Sequence, residues 1–313
     1  MDVFANVRRR LAFSERELDS YLATAPFRYK SYPIEKRNGG TRIISQPSRD
    51  LKILQRFILD TFLNERLKVH DVATAYRIGK NISDNARPHA SNAFILKMDF
   101  RDFFPSINSS DFISHLILNQ HCSTDAEAVK LSRVFFRQTY QGLVLSIGSP
   151  GSPLISNSLM FEFDKLIFEK MAASGVTYTR YSDDMTFSTN TPRLLIKVPE
   201  AVDYALRSIR YPKLLINTQK TVFTSKKFNR TITGIVISNE GNLSIGHQNK
   251  RILRSKIFES PNVSEDDRAA LRGYISFVMQ IEPDLIKRLE LKYPSQFQLL
   301  RTSVAKRKFN VNI

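Results

Sequence analysis

Tyr181-Ser182-Asp183-Asp184 sets two carboxylates side by side at the bend between two short β-prone runs, residues 176–181 and 185–188. Adjacent carboxylates repel, and crowding them is costly unless a cation or a tight hydrogen-bond network compensates. A divalent metal does so directly, and Mg²⁺ takes one or two carboxylates, with waters and substrate phosphates completing its octahedron. A solvated Ser-Asp-Asp turn is the plain alternative. A second carboxylate shifts the balance: Asp99 closes residues 94–100, a nearly continuous apolar run of the kind buried on both faces of a sheet. Strands disfavour Asp and cores exclude unpaired charge, so a metal-held Asp99 is the functional reading. The other role open to it is capping the helical text at 103–107, which Asp102 fits better. A strand-end Asp plus a hairpin Asp-Asp is the ligand set of two-metal phosphoryl transfer, in which ions roughly 3.5–4 Å apart activate the attacking oxygen and stabilise the leaving one.

The surrounding text supplies elements to position these acids. Residues 1–25 read as helical, with Ser14-Glu-Arg-Glu17 as a capping box. Residues 32–47 read strand, turn, strand around Asn38-Gly39-Gly40, a hairpin signal. From Leu51 to about Leu67 apolar residues recur at helical period, and helical text returns from about Ser110 to Tyr140. The Gly/Ser/Pro stretch 148–153 opens a helix with Leu159, Phe163, Leu166, Ile167 and Met171 on one face and Gly175 as its C-terminal cap. A helix at about 199–210 and short strands over 214–245 follow. The last third is helical, with a start signal at Ser264 and Pro283 in the first turn of another helix. Interleaved helices and strands with a basic helical end make an α+β protein.

The 313 residues leave ample material for a core, and 42% hydrophobic content with 22 Phe and 11 Tyr excludes a disordered basic tail. A formal charge of +17 and a pI near 10.0 favour polyanion partners, nucleic acid ahead of an anionic membrane surface. The single cysteine, Cys122, excludes an intramolecular disulfide and a multi-Cys zinc site and suits a reducing cytoplasm. The five histidines show no ligand spacing, and the N-terminal text is no secretory signal. The longest uncharged stretch, 138–161, is broken by Gly, Pro and Ser and spans no membrane.

The order of segments resembles a reverse transcriptase: a hairpin with Arg42, the Asp99 strand, the Gly148-Ser-Pro-Gly-Ser-Pro153 turn, and Tyr-Ser-Asp-Asp. Asn85-Ala-Arg-Pro-His89 and Arg230-Thr-Ile-Thr233-Gly234 are similar to the Asn-Ala-x-x-His and Val-Thr-Gly elements of retron reverse transcriptases, with Ile232 in place of Val. The resemblance covers most of the chain and identifies it as a bacterial retron-type RNA-directed DNA polymerase.

This likeness implies a right-hand polymerase with fingers, an antiparallel palm sheet carrying the aspartates, and a helical thumb. The implied bounds are an N-terminal helical segment at 1–30, fingers at 31–95 and 105–150, palm at 96–104 and 151–245, and thumb at 246–313. It implies Asp99, Asp183 and Asp184 as catalytic carboxylates holding two Mg²⁺, with Mn²⁺ able to substitute and the Phe100 carbonyl as a further ligand. Arg42 would hold the incoming triphosphate, assisted by Lys36. Phe104 resembles a steric gate against a ribose 2′-OH, a core aromatic being the alternative. Lys220 matches a lysine that steadies or protonates pyrophosphate, and a surface lysine is its alternative. Gly148, Pro150 and Ser152 would lie under the nascent base pair, and Lys250, Arg251 and Arg254 along the template–product duplex. Asn85, His89, Thr233 and Gly234 would serve recognition of the cognate RNA, although an Asn/His pair bracing a loop fits the residues equally. The chain departs from the family at Ile147, where a Gln is common.

The implied reaction copies a structured non-coding RNA into multicopy single-stranded DNA, primed from an internal guanosine 2′-OH, in anti-phage defence. The partners implied are that RNA and its RNA–DNA product, dNTPs, host RNase H and an accessory effector protein, in the bacterial cytoplasm with no membrane. The alternatives are a non-catalytic RNA-binding scaffold with a polymerase fold, and a group II intron or diversity-generating reverse transcriptase.

Overall fold

The computed structural model describes residues 3–35 and 39–302. The chain divides into two compact units, one of residues 1–81 and 93–223, the other of residues 82–92 and 224–313.

In the first unit, β1 (Tyr29–Glu35) and β2 (Thr41–Pro47) form the antiparallel hairpin expected around Asn38-Gly39, with Ile34 opposite Arg42. Lys36 lies outside the described residues. The central five-stranded sheet is built from β3 (Phe94–Arg101), β6 (Thr177–Tyr181), β7 (Asp184–Thr189), β8 (Leu215–Ile216) and β9 (Val222–Ser225), the last pairing with β3. The order of the other four is β6-β7-β3-β8, and each neighbouring pair is antiparallel. β4 (Arg137–Thr139) and β5 (Gly142–Val144) make a separate short hairpin. As its apolar run predicted, β3 has Ile95, Leu96, Met98 and Phe100 buried, the last three within one continuous core.

Local signals held where capping chemistry is strong. Ser14 and Glu17 form the full capping box of the helix Glu15–Thr24. Gly175, at φ +68°, ends the helix Phe161–Ala173 with a Schellman pair: its N–H donates to Ala172 O, and the next, of Val176, to Met171 O.

Three expectations need correction. The text from Ser110 to Tyr140 is two helices, Ser109–Leu118 and Asp125–Phe135, followed by β4. The break comes at Gln120, whose φ is +54°, and Thr124 then caps the second helix. The helix starting at Arg49 is regular only to Ile58 and continues through a wide π turn over Leu59–Leu63. The helix after residue 151 is interrupted at Met160, and within its second part Phe163, Ile167 and Met171 are buried whereas Leu166, at the edge of that face, is exposed.

The second unit holds a three-stranded sheet of Arg230–Ile232, Ile235–Ile237 and Leu243–Ser244. The helices His247–Glu259, Glu265–Ile281, Pro283–Lys292 and Pro294–Thr302 follow. Ser264 caps the second of these and Pro283 opens the third, as expected. No helix among the described residues is long and apolar enough to cross a membrane.

Gly151 packs so closely on Phe135 that an added Cβ would stand 2.3 Å from a ring carbon. Phe135 is fully buried and has no room to move. Gly151→Ala should therefore destabilise the protein by roughly 1–3 kcal/mol, read as an earlier midpoint in denaturant unfolding.

Candidate active site

The hairpin of β6 and β7 turns on Ser182 and Asp183, with Tyr181 facing Asp184 across the ladder. Ser182 adopts φ +60°, a left-handed conformation that favours glycine. The turn is held from beneath by Arg180, whose side chain is wholly buried beside that of Asp164. Arg180 Nε donates to Asp164 Oδ1 at 2.8 Å and Nη2 to Oδ2 at 2.6 Å. Its Nη1 donates to Asn157 Oδ1 and, at 2.8 Å, to the carbonyl of Ser182. Tyr178 donates its hydroxyl to Asp164 Oδ1, and burial followed by the Asp164 charge pushes its phenol well above the ordinary range. From outside, the Tyr76 hydroxyl meets Ser182 Oγ at 3.4 Å.

Register then brings the third carboxylate to the hairpin. Asp99 on β3 stands directly opposite Asp184 on β7, and the Phe100 amide donates to the Asp183 carbonyl at 3.1 Å. Asp99 is buried at 5% exposure and its two oxygens both accept from Lys220 Nζ at 2.9 Å. Asn217 adds its amide to the Asp99 carbonyl at 2.8 Å and its side chain to Oδ1 at 3.4 Å.

One lysine does not balance three acids. Burial, then the Asp99 charge, raises the Asp183 carboxyl, with Lys220 and Arg42 opposing. Asp184 keeps solvent access, yet partial burial and the charges of Asp183 and Asp99 push it up as well. Among the described residues no group of three His, Cys, Asp or Glu side chains is arranged to hold a metal ion as it stands. Lys220 covers the Asp99 carboxylate in the manner of a cation. The donor set nevertheless suits a hard divalent ion: oxygen ligands only, crowded, and short of positive charge.

A cavity of about 430 Å³ opens over these acids, lined by Arg42, Tyr76, Asp99, Phe104, Asp183 and Lys220 among others. Arg42 is exposed on β2, close enough to act on Asp183. Phe104 is partly buried, packed edge-on to Phe103 and 6.5 Å from the Tyr76 ring. A neighbouring cavity of about 300 Å³ shares Tyr76 and Phe104 and is lined by Gly148, Pro150 and Ser152 with Lys52 and Arg56. Gly148, at φ +113°, leaves no room for a side chain because an added Cβ would stand 3.0 Å from Ile44 and 3.2 Å from Gln46, both on β2. Its close approach is thus to the first hairpin, tied there by Ser45 N donating to Ile147 O at 2.8 Å. A cavity of about 500 Å³ lies elsewhere in this unit between Lys68, His115, His121 and Tyr211 and contains none of the three aspartates. Burial pushes His115 down to about 4, and its ring is occupied by Ser158 and Tyr211.

The family model of the reverse transcriptase (RNA-dependent DNA polymerase) matches residues 34–237. The retron Ec83 reverse transcriptase of Escherichia coli is 38% identical over 85% of this chain and 86% of its own length. The chain belongs to the retron reverse transcriptases. The retron Ec86 reverse transcriptase of Escherichia coli is 29% identical, over 92% of this chain and 88% of that protein. In fold, apo telomerase from Candida tropicalis is similar at a TM-score of 0.52 and 13% identity, over 87% of this chain and 57% of that one. That likeness is one of architecture alone, and this chain spans little more than half of that telomerase chain. The retron enzyme has the α+β right-hand polymerase fold, and its family activity is RNA-directed DNA synthesis.

The second unit of this retron reverse transcriptase gathers the remaining motif residues. Residues 82–92, far upstream in sequence, fold with the sheet that carries Thr233 and Gly234. Thr233 and Gly234 both have positive φ, as a tight two-residue turn requires, and Thr233 Oγ1 reaches Ile82 O at 3.4 Å. Asn85 and His89 are fully buried, so their side chains brace this element and face no solvent. Burial pushes His89 down to about 3, which keeps it neutral. Lys250 is paired with Glu282, whereas Arg251 and Arg254 are exposed on the same helix.

Sequence reasoning passed over Arg180, Asp164, Asn157 and Tyr76, whose types carry no catalytic signature. An arginine inside a β-prone run was the one available signal, and it reads equally as a solvated strand residue. Asp164→Ala should cost roughly 3–5 kcal/mol, because Arg180 would keep its charge with no counterion. Denaturant unfolding checks this, and an unchanged midpoint would remove the pair from the account.

Proposed function

We propose that this retron reverse transcriptase copies a cognate structured non-coding RNA into multicopy single-stranded DNA by nucleotidyl transfer at Asp99, Asp183 and Asp184. The observation that carries the reading is the register of Asp99 opposite Asp184, with Asp99 and Asp183 lining a cavity that also contains Arg42, Phe104 and Lys220. Two Mg²⁺ ions, held by the three carboxylates and the Phe100 carbonyl, would supply activation of the primer oxygen and neutralisation of charge on the leaving pyrophosphate. Arg42 binds the triphosphate, where a planar guanidinium suits bidentate contact with phosphate oxygens. Lys220, already an ammonium on Asp99, is placed to steady or protonate the departing pyrophosphate. Phe104 closes the cavity against a ribose 2′-OH.

In this reading the first unit provides most of the fingers and palm. The second provides the thumb from residue 246 onward, with Arg251 and Arg254 along the nucleic-acid phosphates, and residues 82–92 of the fingers with Thr233-Gly234 of the palm serve recognition of the cognate RNA. The formal charge of +17 supports a polyanion partner. Priming from an internal guanosine 2′-OH, template removal by host RNase H, an accessory effector and a role in anti-phage defence in the bacterial cytoplasm complete the proposal by kinship with retrons.

Incorporation of dNTPs on the cognate RNA tests the site. Asp183→Asn should lower it by at least about a hundredfold, removal of an electrostatic group at the reacting centre being worth that much. Equal incorporation by both proteins would defeat the assignment. Phe104→Ala should admit ribonucleotides more readily, seen as a fall in the ratio of dNTP to rNTP incorporation. An unchanged ratio would make Phe104 a packing residue.

A further inference from the structure

Two buried donors in the wall of the candidate nucleotide cavity have no acceptor. Arg137 Nε and Ser146 Oγ are both without a hydrogen-bond partner, and both residues line the cavity with Arg42 and Asp183. Among the described residues no carboxylate is paired with Arg137; a nearby group that feels its charge is the Tyr29 phenol. Ser146 is 1% exposed. Buried donors without acceptors are costly and rare, so a pair of them in residues that line one cavity marks a place for an oxygen-rich ligand.

The wall holding them is fixed. Arg137 starts β4 and is registered against Val144 at the end of β5, two residues before Ser146. On either side of Ser146 the backbone is pinned, by Leu145 N donating to Ile107 O at 3.0 Å and by Ile147 O accepting from Ser45 N at 2.8 Å. Leu145 and Ile147 offer only apolar side chains to the cavity, so Arg137 and Ser146 are its polar contribution there. The adjoining cavity with Lys52 and Arg56 is lined by Ser146 but not by Arg137, which ties the guanidinium to the chamber that contains Asp99 and Asp183. Guanidinium is donor-only and planar, and its fork matches phosphate oxygens better than any neutral acceptor.

We propose that Arg137 and Ser146 form a second phosphate-binding subsite for the incoming deoxynucleoside triphosphate, on a different element from Arg42. This rests on reading the cavity as the nucleotide site. Arg42 sits exposed on a two-stranded hairpin, whereas Arg137 and Ser146 belong to backbone anchored to the core. The anchored pair would set where the triphosphate lies, and the exposed arginine would close on it.

The test is steady-state incorporation by the full chain on its cognate RNA, with Arg137→Gln, Arg137→Lys and Ser146→Ala. Arg137→Gln should raise KM for dNTPs roughly tenfold to a hundredfold, the range for a charge-assisted hydrogen bond to phosphate, with kcat little changed. Arg137→Lys should recover part of that loss, and Ser146→Ala should raise KM by about threefold to tenfold. Inhibition by the matching deoxynucleoside, which lacks phosphates, should be the same in every variant. The subsite is overturned if KM is unchanged, if deoxynucleoside inhibition weakens equally, or if the loss is confined to one base. Should Arg137→Gln fail to fold, Ser146→Ala carries the same comparison. Asp183→Asn run in parallel separates the two ideas: full activity there would sink the nucleotide-site reading itself, while a normal KM in Arg137→Gln beside an inactive Asp183→Asn would sink only this subsite.

Discussion

The hairpin that carries Asp183 and Asp184 depends on one buried ion pair. Removing two charges from water is expensive, and attraction between them compensates only when geometry is good and every remaining donor is satisfied. Arg180 and Asp164 meet that condition through two mutual hydrogen bonds and through Asn157, Tyr178 and the Ser182 carbonyl. The last of these matters most for function. A serine at φ +60° is unfavourable without glycine's freedom, and the guanidinium pins the turn carbonyl that this conformation presents. Two helices, through Asn157 and Asp164, therefore determine where Asp183 points.

Above that foundation the chemistry follows from charge. Three aspartates meet at one end of β3 and β7, and Lys220 satisfies only one of them. Asp183 and Asp184 are left with carboxyls raised by burial and by neighbouring charge, that of Asp99 on Asp183 and those of Asp183 and Asp99 on Asp184. Crowded oxygen donors short of positive charge suit a hard cation, and a divalent ion bound there would displace protons from carboxyls so raised.

Much of this was legible in the residues, and the reasons are local. Asp99 stands out because it ends an apolar strand, Asp183-Asp184 because paired acids sit at a hairpin bend, and Ser14, Gly175 and Ser264 because capping acts within a few residues. What stayed hidden depends on contacts between distant segments. Nothing near Arg180 announces a partner 16 positions earlier, and no periodicity reveals that Met160 interrupts a helix. For Asn85 and His89, recognition of RNA by resemblance and bracing of a loop fit the residues equally, and nothing in their text tells that both are interior. Lys250 is expected along the template–product duplex by resemblance, but Glu282, at the junction of two later helices, pairs with it. Polarity in sequence says little about burial when the compensating group comes from elsewhere.

The membership of residues 82–92 in the second unit bears on the order of synthesis. Arg230, fully buried, donates to the carbonyls of Asn92 and Ser238, and so joins parts of the chain separated by 138 positions. A nascent chain emerging from the ribosome displays the 82–92 segment long before the strands that receive it have been translated. Closing so long a loop costs only slightly more entropy than closing a shorter one, but it must wait. During that interval Ala86 and His89 lack their native surroundings, and the first unit has to mature around an excursion whose docking partner does not yet exist.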